Sequence, residues 1–338
     1  MPVDTMCSSA LVAIHEACEY IRHGKGDLAL AGGVNLYLHP FTYIWLSMGR
    51  LISDTSKGSV FCKGGLGFVP GEGVGVIVLK AYAQAIKDRD SIYAVIRGTA
   101  VNHNGKTNGY MMPTPTQQAS VIQQALTQNS IDPRTVSYIE AAASGSEMGD
   151  AIEMTALTKV FGKRDGAQGV YKIGSVKPNI GHCESASGMS QLAKVILSLK
   201  HKKLVPTLLS GDLNSAINWA QLPFKIQREL SDWKSVTVDG HEVPRRAGIS
   251  SIGAGGVNAH IIVEEYVPEF TSFPKSLSRT NPIVFILSAM SRDCLEDYVK
   301  EWIAYLRKNE DVDLESIVYT LQVGRETMRC RLAIFRNS

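Results

Sequence analysis

Val3-Asp4-Thr5-Met6-Cys7-Ser8-Ser9-Ala10 places a cysteine between a short extended segment and a predicted helix over Ser8–Arg22. A thiol at a helix N-terminus faces the positive end of the helix dipole and backbone N–H groups that lack a partner within the helix. Both features favour the thiolate, so we expect a lowered pKa and a nucleophilic role for Cys7. A strand-to-helix turn would also hold the sulfur above the sheet. The alternative for this pattern is a buried structural cysteine.

Strand and helix patterns alternate along the first 266 residues around this turn. The predicted strands are 28–34, 75–79, 93–98, 136–140, 246–251 and 259–264, and the predicted helices are 8–22, 116–128, 150–161 and 184–199. Such alternation is typical of an α/β protein whose sheets are largely parallel and covered on both faces. We therefore expect a layered α/β fold.

The composition changes after Tyr266. The stretch Val267 to Pro282 is rich in Pro, Ser and Thr and lacks periodicity, which indicates a linker. Beyond it, the pattern predicts a strand over 283–287, helices over 293–307 and 314–323, and a last strand from 331 onward. We divide the chain into a domain over 1–266, a linker over 267–281 and the start of a small α/β subdomain over 282–338.

Composition and charge limit the function classes. A net charge of +3 over 338 residues gives no reason to expect nucleic-acid binding. No apolar run approaches the ~20 residues that span a bilayer, and no secretory signal is visible. The six cysteines lack metal-ligand spacing, so we expect no metal site. Cysteines other than Cys7 are expected to be buried thiols in a reducing cytoplasm.

Two further stretches carry candidate catalytic groups. His182 follows Asn179-Ile180-Gly181, where its imidazole is placed to act on a substrate carbonyl, and Lys177 lies five residues before it. The turn Gly253-Ala254-Gly255-Gly256-Val257-Asn258 offers backbone N–H groups for one side of an oxyanion hole, with the Cys7 N–H as the other. Taken singly, each group also fits an ordinary structural role.

Together these segments resemble the ketosynthase domain of modular polyketide synthases, from Pro2 to about Tyr266. The matching blocks are Val3–Ser9, Val69–Gly73, Val101–Gly109, Gly174–His182 and Gly255–His260. The style of the block around His103 and the helix Ser190–Lys203 resemble assembly lines whose acyltransferases act in trans, commonly bacterial. Residues 282–338 resemble the start of the linker subdomain that follows such ketosynthases.

The resemblance implies a thiolase-like fold, a homodimer and a cytoplasmic enzyme of antibiotic-type polyketide biosynthesis. It also implies that Cys7 takes an acyl chain from the phosphopantetheine arm of an acyl carrier protein, with no other cofactor bound. In the family, the N–H groups of the cysteine and of the residue matching Ala254 hold the oxyanion. The loop including Gly255 and Gly256 would gate the site, and a malonyl extender then loses CO2 and condenses with the bound chain.

The family uses two histidines for this decarboxylative step, one of which matches His182. The other opens the motif E-A-H-G-T-G-T, which here reads Glu140-Ala141-Ala142-Ala143-Ser144-Gly145-Ser146. Ala142 therefore occupies a histidine position, while Ser144 and Ser146 replace threonines that contact the pantetheine arm. Losing a placed acid–base or oxyanion donor costs ~10²–10⁴ in rate. We expect a non-elongating ketosynthase that relays its acyl chain unchanged.

A second departure lies at the N-terminus, because the long region that precedes the nucleophile in the family is absent here. That region supplies strands to the core and part of the dimer contact, so we expect exposed apolar sheet surface and marginal stability. Two explanations remain open: a domain split between two polypeptides, and a fragment. In addition, Cys62 and Leu66 stand where the family usually carries aspartates.

Three functional hypotheses follow. The first is an acyl-transferring, non-elongating ketosynthase, which an intact set of Cys7, Lys177 and His182 favours. The second is a scaffold that only docks carrier proteins, which the truncated start favours. The third is an elongating ketosynthase in which another group replaces the missing histidine. A reactive Cys7 thiol would separate the first hypothesis from the second.

Overall fold

The first helix, α1, begins just after the cysteine turn and spans Ser9–Arg22. The structure is a computed structural model that describes residues 1–107, 109, 112–162, 171–268, 283–309 and 312–336. Leu11, Ile14 and Cys18 are buried along one side of α1, at the i, i+3, i+7 spacing that lines one face of a helix. The predicted start at Ser8 is one residue early, because Ser8 is the N-cap.

The chain divides into two units, Met1–Val267 and Pro268–Ser338. This division lies one residue from the predicted end of the first domain. Residues 269–281, which make up most of the predicted linker, lie outside the described residues.

The first unit carries the elements expected from the sequence and several shorter ones. Its further helices are α2 (Phe41–Met48), α3 (Tyr82–Lys87), α4 (Pro115–Thr127), α5 (Glu147–Phe161), α6 (Lys177–Ile180) and α7 (Ser187–His201). Its strands are β1 (Leu28–Asn35), β2 (Gly73–Lys80), β3 (Val95–His103), β4 (Tyr138–Glu140), β5 (Tyr171–Gly174), β6 (Lys203–Leu204), β7 (Phe224–Ile226), β8 (Ser231–Asp232), β9 (Val236–Val238), β10 (His241–Val243), β11 (Arg246–Ile252) and β12 (Val257–Glu264). The sequence pattern does not predict α2, α3, α6 or β5–β10, because most are too short to show a period.

A six-stranded sheet in the order β3-β12-β11-β4-β5-β7 forms the centre of this unit. The β11–β4, β4–β5 and β5–β7 pairs are parallel, whereas β3–β12 and β12–β11 are antiparallel. Three of the five strand pairs are thus parallel, and the expectation of parallel pairing is wrong for the two pairs that β12 makes. The reason is local: β11 and β12 are joined by the short turn at Gly253–Gly256, which allows only an antiparallel pair.

The sheet is covered on both faces, as the sequence predicts. Ile262 of β12 belongs to a core cluster with residues of α4 and α5. Its neighbours Ile261 and Val263 belong to the cluster formed with α1 and α7. Successive side chains of a strand point to opposite faces, so the central sheet lies between two helical layers.

A separate antiparallel pair, β1 and β2, shows the exposed apolar surface expected from the sequence. Leu28 lies opposite Lys80 and Asn35 opposite Gly73. One face of the pair packs on the α1–α7 cluster through Ala31 and Ile77. Large apolar side chains on the other face are exposed, namely Leu28, Leu30, Val34, Val74, Val76 and Val78. A contiguous apolar face of this kind marks a surface suited to association.

The second unit is a small α/β fold. Strands β13 (Ile283–Ala289) and β14 (Cys330–Arg336) pair antiparallel. Between them lie α8 (Arg292–Lys308) and α9 (Leu314–Val323), in the predicted order. Each helix has a side-chain N-cap, from Ser291 for α8 and from Asp313 for α9.

Candidate active site

One cavity of about 290 Å³ collects most of the residues singled out in the sequence. The predicted site residues among its lining are Cys7, Ala142, Ser144, Ser146, Lys177, His182 and Ala254. They come from the turn before α1, the segment after β4, α6 and its following turn, and the β11–β12 turn. Gly255 and Gly256 do not line it. The cavity around Cys7 thus lies where the carboxyl ends of β4 and β5 meet the start of α1.

A dense set of hydrogen bonds fixes the backbone around Cys7. The Ser9 hydroxyl donates to the Met6 carbonyl at 2.6 Å and accepts from the Thr5 N–H at 2.9 Å. The Ser251 hydroxyl donates to the Cys7 carbonyl at 2.7 Å. Met6 has a φ of +59°, in the left-handed region, so the turn carries strain at the residue before the nucleophile.

Burial raises the pKa of the Cys7 thiol to about 11, and the expected lowering is therefore wrong. The positive charge of Lys177 and the N–H groups of Cys7 and Ala254 act in the opposite direction, but removal of water is the larger effect. Cys7 also lies two residues before the first helical residue, Ser9. The dipole of α1 acts mainly within its first turn.

The Gly-rich turn approaches the sulfur through Ala254. The backbone N–H groups of Ala254 and of Cys7 itself act to lower the pKa of the Cys7 thiol. Two N–H donors that converge on the nucleophile form the arrangement that holds a developing oxyanion. Gly255 lies behind this site, where its carbonyl is 3.0 Å from His103 Nε2, and Gly256 has a φ of +96°, which favours glycine.

His182 is buried and held as a neutral imidazole. Its Nδ1 accepts the Glu184 backbone N–H at 3.2 Å, which leaves the proton on Nε2. Burial, followed by the nearby charge of Lys177, places the pKa of His182 well below its usual range. The Phe68 ring packs edge-on against the imidazole with centroids 4.8 Å apart. His182 can therefore donate a hydrogen bond from Nε2 at neutral pH.

Lys177 lies at the buried end of the cavity, with 5% of its surface exposed. Its Nζ donates a hydrogen bond to the Ala142 carbonyl. Burial lowers the pKa of Lys177, and the carboxylate of Glu153 is the largest effect in the opposite direction. The ammonium group is therefore oriented toward the backbone of residue 142.

Ala142 is held on both sides of its peptide by buried groups. Its N–H donates to Glu153 Oε1 at 2.8 Å, while its carbonyl accepts from Lys177. The alanine itself is 8% exposed and lines the cavity that Cys7 and His182 also line. The structure therefore places a methyl group, with no polar atom, in the wall of the site.

Two buried carboxyl groups support this wall, and sequence reasoning did not assign them a role. Asp150 accepts the N–H groups of Phe61 at 2.8 Å and Ser144 at 3.1 Å. Burial raises the pKa of Asp150 to about 6 and that of Glu153 to about 7. The signal was present in Gly149-Asp150-Ala151-Ile152-Glu153, which places both carboxyls one turn apart on α5.

Ser144 and Ser146 differ in their hydrogen bonds to the protein. Ser146 is the N-cap of α5, and its hydroxyl accepts the Gly149 N–H. Ser144 lines the same cavity, and its backbone N–H is held by Asp150. Both lie in the cavity wall with Cys7, consistent with a ligand arm that enters past them.

His103 and His260 both have hydrogen-bond partners within the protein. His103 accepts the Gly105 N–H at 2.9 Å, and His260 Nδ1 lies 2.9 Å from the Ser250 hydroxyl. Cys62 is buried, whereas Leu66 is exposed and lines the cavity. The cavity also contains Gln118, which the sequence did not point to.

Within the part of the chain that the structure describes, no group of three or more His, Cys, Asp or Glu side chains is placed to hold a metal ion. None of the described helices is long and apolar enough to cross a membrane.

Comparison with protein families matches both halves of one domain type. Residues 1–85 match the family "Beta-ketoacyl synthase, N-terminal domain", and residues 93–210 match "Beta-ketoacyl synthase, C-terminal domain". Residues 286–338 match "RhiE-like, KS-MAT linker domain". The two beta-ketoacyl synthase matches lie in the first unit, and the linker-domain match lies in the second.

Curated proteins and solved structures give a consistent result. The chain is 50% identical over 334 residues to polyketide synthase ThaQ of Burkholderia thailandensis and 47% identical over 337 residues to polyketide synthase PksL of Bacillus subtilis. The matches cover 99% and 98% of this chain, but 16% and 7% of those proteins.

Among solved structures, the oxazolomycin ketosynthase domain OzmH KS7 of Streptomyces albus has a TM-score of 0.88 at 39% identity. The ketosynthase from module 6 of the bacillaene synthase of Bacillus subtilis has a TM-score of 0.85 at 39% identity. Each match covers 100% of this chain and 58% or 57% of the solved chain. The thiolase-like α/β fold expected from the sequence is thereby confirmed, and the chain belongs to the beta-ketoacyl synthase family as a ketosynthase region of the polyketide synthase type.

Proposed function

We propose that this ketosynthase region accepts an acyl chain on Cys7 from an acyl carrier protein and passes it on without decarboxylative condensation. The observation that carries the proposal is Ala142, a methyl group in the wall of the cavity that also holds Cys7, Lys177 and His182. The site keeps its nucleophile and two polar groups but lacks a second imidazole.

Acylation needs only groups that the cavity contains. The Cys7 sulfur attacks the thioester carbonyl of the carrier, forming a new S–C bond while the bond to the pantetheine sulfur breaks. The proton of the Cys7 thiol ends on the departing thiol. The N–H groups of Cys7 and Ala254 stabilise the oxyanion between these events, and Lys177 favours the thiolate.

Condensation requires an additional hydrogen-bond donor. A malonyl thioester that loses CO2 develops negative charge on its thioester oxygen, which a hydrogen-bond donor must stabilise. The neutral His182 supplies one donor through Nε2, whereas the methyl group of Ala142 supplies none. Removing one such donor costs about 10²–10³ in rate. Acylation therefore survives this substitution better than condensation.

The proposal extends to partners. Ser144 and Ser146 line the entrance used by the phosphopantetheine arm, which acts as substrate carrier rather than resident cofactor. The apolar face of β1–β2 supports association with further ketosynthase surface, in a homodimer or from a second polypeptide. The proposal places this region in a cytoplasmic polyketide assembly line, of the type whose acyltransferases act in trans, that makes an antibiotic-like product. The names of the relatives, polyketide synthases ThaQ and PksL, support the polyketide assignment.

A scaffold that only docks carrier proteins is the second candidate. The raised pKa of Cys7 favours it, because at pH 7 a thiol with a pKa near 11 is almost entirely protonated. The backbone N–H groups of Cys7 and Ala254, which act to lower the pKa of the thiol, favour the acyl-transfer function instead. An elongating enzyme requires a replacement donor beside Ala142.

Intact-protein mass spectrometry tests these alternatives. The protein is incubated with butanoyl-N-acetylcysteamine and then with malonyl-loaded carrier protein, with Cys7→Ala as the control. The proposal expects a butanoyl adduct that Cys7→Ala lacks, and no extended product. A β-ketoacyl product would contradict the non-elongating function. Absence of the adduct in a protein with a folded circular-dichroism spectrum would favour the scaffold.

A further inference from the structure

Gln118 is a buried amide in the wall of the active-site cavity. It lies in the first half of α4, is 3% exposed, and shares the cavity with Cys7. Among the residues that the structure describes, neither its Oε1 nor its Nε2 has a hydrogen-bond partner. Buried polar side chains in folded proteins are nearly always paired, so this amide calls for an explanation.

The position of Gln118 is fixed by its surroundings. Its backbone N–H donates to the Thr114 carbonyl at 3.0 Å in the first turn of α4. The preceding carbonyl, of Gln117, accepts Asn102 Nδ2 at 2.8 Å, which ties the helix to β3. Asn102 is held in turn by Asn258 of β12 at 2.9 Å. The backbone of Gln118 is therefore anchored to the central sheet at the cavity wall.

Several other polar groups of the cavity are already engaged by the protein. Lys177 donates to the Ala142 carbonyl, Glu153 accepts the Ala142 N–H, and Asp150 accepts the Phe61 N–H. The cavity lining that follows Asn104 in the chain, Met112 and Pro113, is apolar. Gln118 therefore shares the cavity with apolar lining that suits an alkyl chain.

The hydrogen-bonding capacity of the Gln118 amide defines which substrate group could pair with it. A hydroxyl donates to Oε1 and accepts from Nε2, and so can satisfy either atom or both. A ketone oxygen satisfies only Nε2, and a methylene satisfies neither. We infer that Gln118 selects, for transfer to Cys7, acyl chains that carry a hydroxyl group within reach of its amide. This inference rests on the proposed acylation of Cys7.

Acylation rates with matched thioesters test the inference. The probes are the N-acetylcysteamine thioesters of 3-hydroxybutanoate and butanoate, and of 5-hydroxyhexanoate and hexanoate. Two pairs are used because the hydroxyl can lie at different depths. In the wild-type protein, we expect the hydroxylated member of at least one pair to acylate Cys7 at least tenfold faster, as followed by intact mass.

Two variants separate a specificity role from a structural one. Gln118→Leu keeps the approximate volume and removes both polar atoms, so the preference for the hydroxylated chain is expected to vanish or reverse. Gln123→Leu, at an exposed position of the same helix, is expected to keep it. A split in which butanoate acylation persists in Gln118→Leu while 3-hydroxybutanoate acylation falls would not arise from misfolding.

The contrary outcomes are distinct. Equal rates within both pairs in the wild-type protein would overturn the inference, whether or not Gln118→Leu folds. A preference that persists in a folded Gln118→Leu variant would do the same. If no thioester acylates Cys7, the proposed function itself fails and the inference falls with it, so the two failures are distinguishable.

Discussion

Lys177 donates a hydrogen bond from its buried ammonium to the backbone carbonyl of Ala142, the residue on which the proposed loss of condensation rests. The N–H of the same residue is held by Glu153 at 2.8 Å. Two buried ionisable side chains thus hold the Ala142 peptide, one on its N–H and one on its carbonyl. The methyl side chain of Ala142, by contrast, can neither donate nor accept a hydrogen bond. Because these hydrogen bonds involve only the backbone, a substitution at residue 142 can test the effect of an imidazole there without removing them.

Replacing Ala142 with histidine is expected to restore condensation. The imidazole would enter the cavity of about 290 Å³ and supply the second hydrogen-bond donor to the developing enolate. We expect β-ketoacyl product formation to rise by about 10²–10³ over wild type. Product mass after addition of malonyl-loaded carrier protein measures the effect.

Ala142→Leu is the matched control for that variant, because it adds similar bulk without a hydrogen-bond donor. If both variants acylate normally and neither extends the chain, the loss of condensation does not depend on residue 142. Increased product with Ala142→His alone would support the proposal.

Alkylation of Cys7 is expected to increase steeply with pH. Since burial raises the pKa of the thiol to about 11, the thiolate fraction should rise about tenfold for each pH unit between 7 and 10, without a plateau. Iodoacetamide labelling followed by peptide mass mapping measures this rate. The exposed Cys294 provides an internal comparison in the same digest. A plateau below pH 9 for Cys7 would contradict the expected pKa.

Lys177→Met is expected to slow alkylation of Cys7 at any fixed pH. The ammonium group of Lys177 lowers the pKa of Cys7 against the larger effect of burial, so its removal raises the pKa further. We expect a severalfold decrease in the labelling rate at pH 8. Lys200→Met, on the far end of α7, should leave the rate unchanged. An unchanged rate in a folded Lys177→Met variant would show that the two groups do not interact.

Glu153 is expected to make stability depend on pH. Burial raises its pKa from 4.5 to about 7, so the protonated form fits the folded state better. This contribution is complete below about pH 4.5 and is lost as the pH rises through about 7. Glu153→Gln, which keeps an acceptor for the Ala142 N–H, should therefore gain stability relative to wild type between pH 5 and pH 8. Urea unfolding at the two pH values measures the difference, and parallel profiles would contradict it.

Gly253→Ala is expected to disrupt the nucleophile turn. A Cβ at this position would lie 2.8 Å from the Ser8 hydroxyl and closer still to the Thr5 carbonyl. Relieving such a contact requires backbone movement and costs typically 1–3 kcal/mol, so thermal stability and Cys7 acylation should both fall. Gly211→Ala, where a Cβ meets nothing within 4 Å, is the control. Normal acylation in Gly253→Ala would mean that the turn tolerates displacement.

The sequence determined the local features of this protein. Periodicity defined the longer elements, such as α1 and α4, because a face buried along a helix repeats at a spacing that can be read from the chain. The motifs around Cys7, His182 and Ala254 were sufficient to identify the family. The absence of an imidazole at Ala142 was equally a matter of sequence.

Only the tertiary structure decided the electrostatics and the unpaired groups. Helix position favoured a thiolate at Cys7, yet burial by distant segments raised its pKa, because desolvation depends on everything that packs around the sulfur. Glu153 and Gln118 read as ordinary helical residues in the chain. They became a support for Ala142 and an unpaired amide in the cavity wall once α4 and α5 packed on the central sheet. The sequence therefore determined which chemical groups are present. Long-range packing determined their burial, their pKa values and their hydrogen-bond partners.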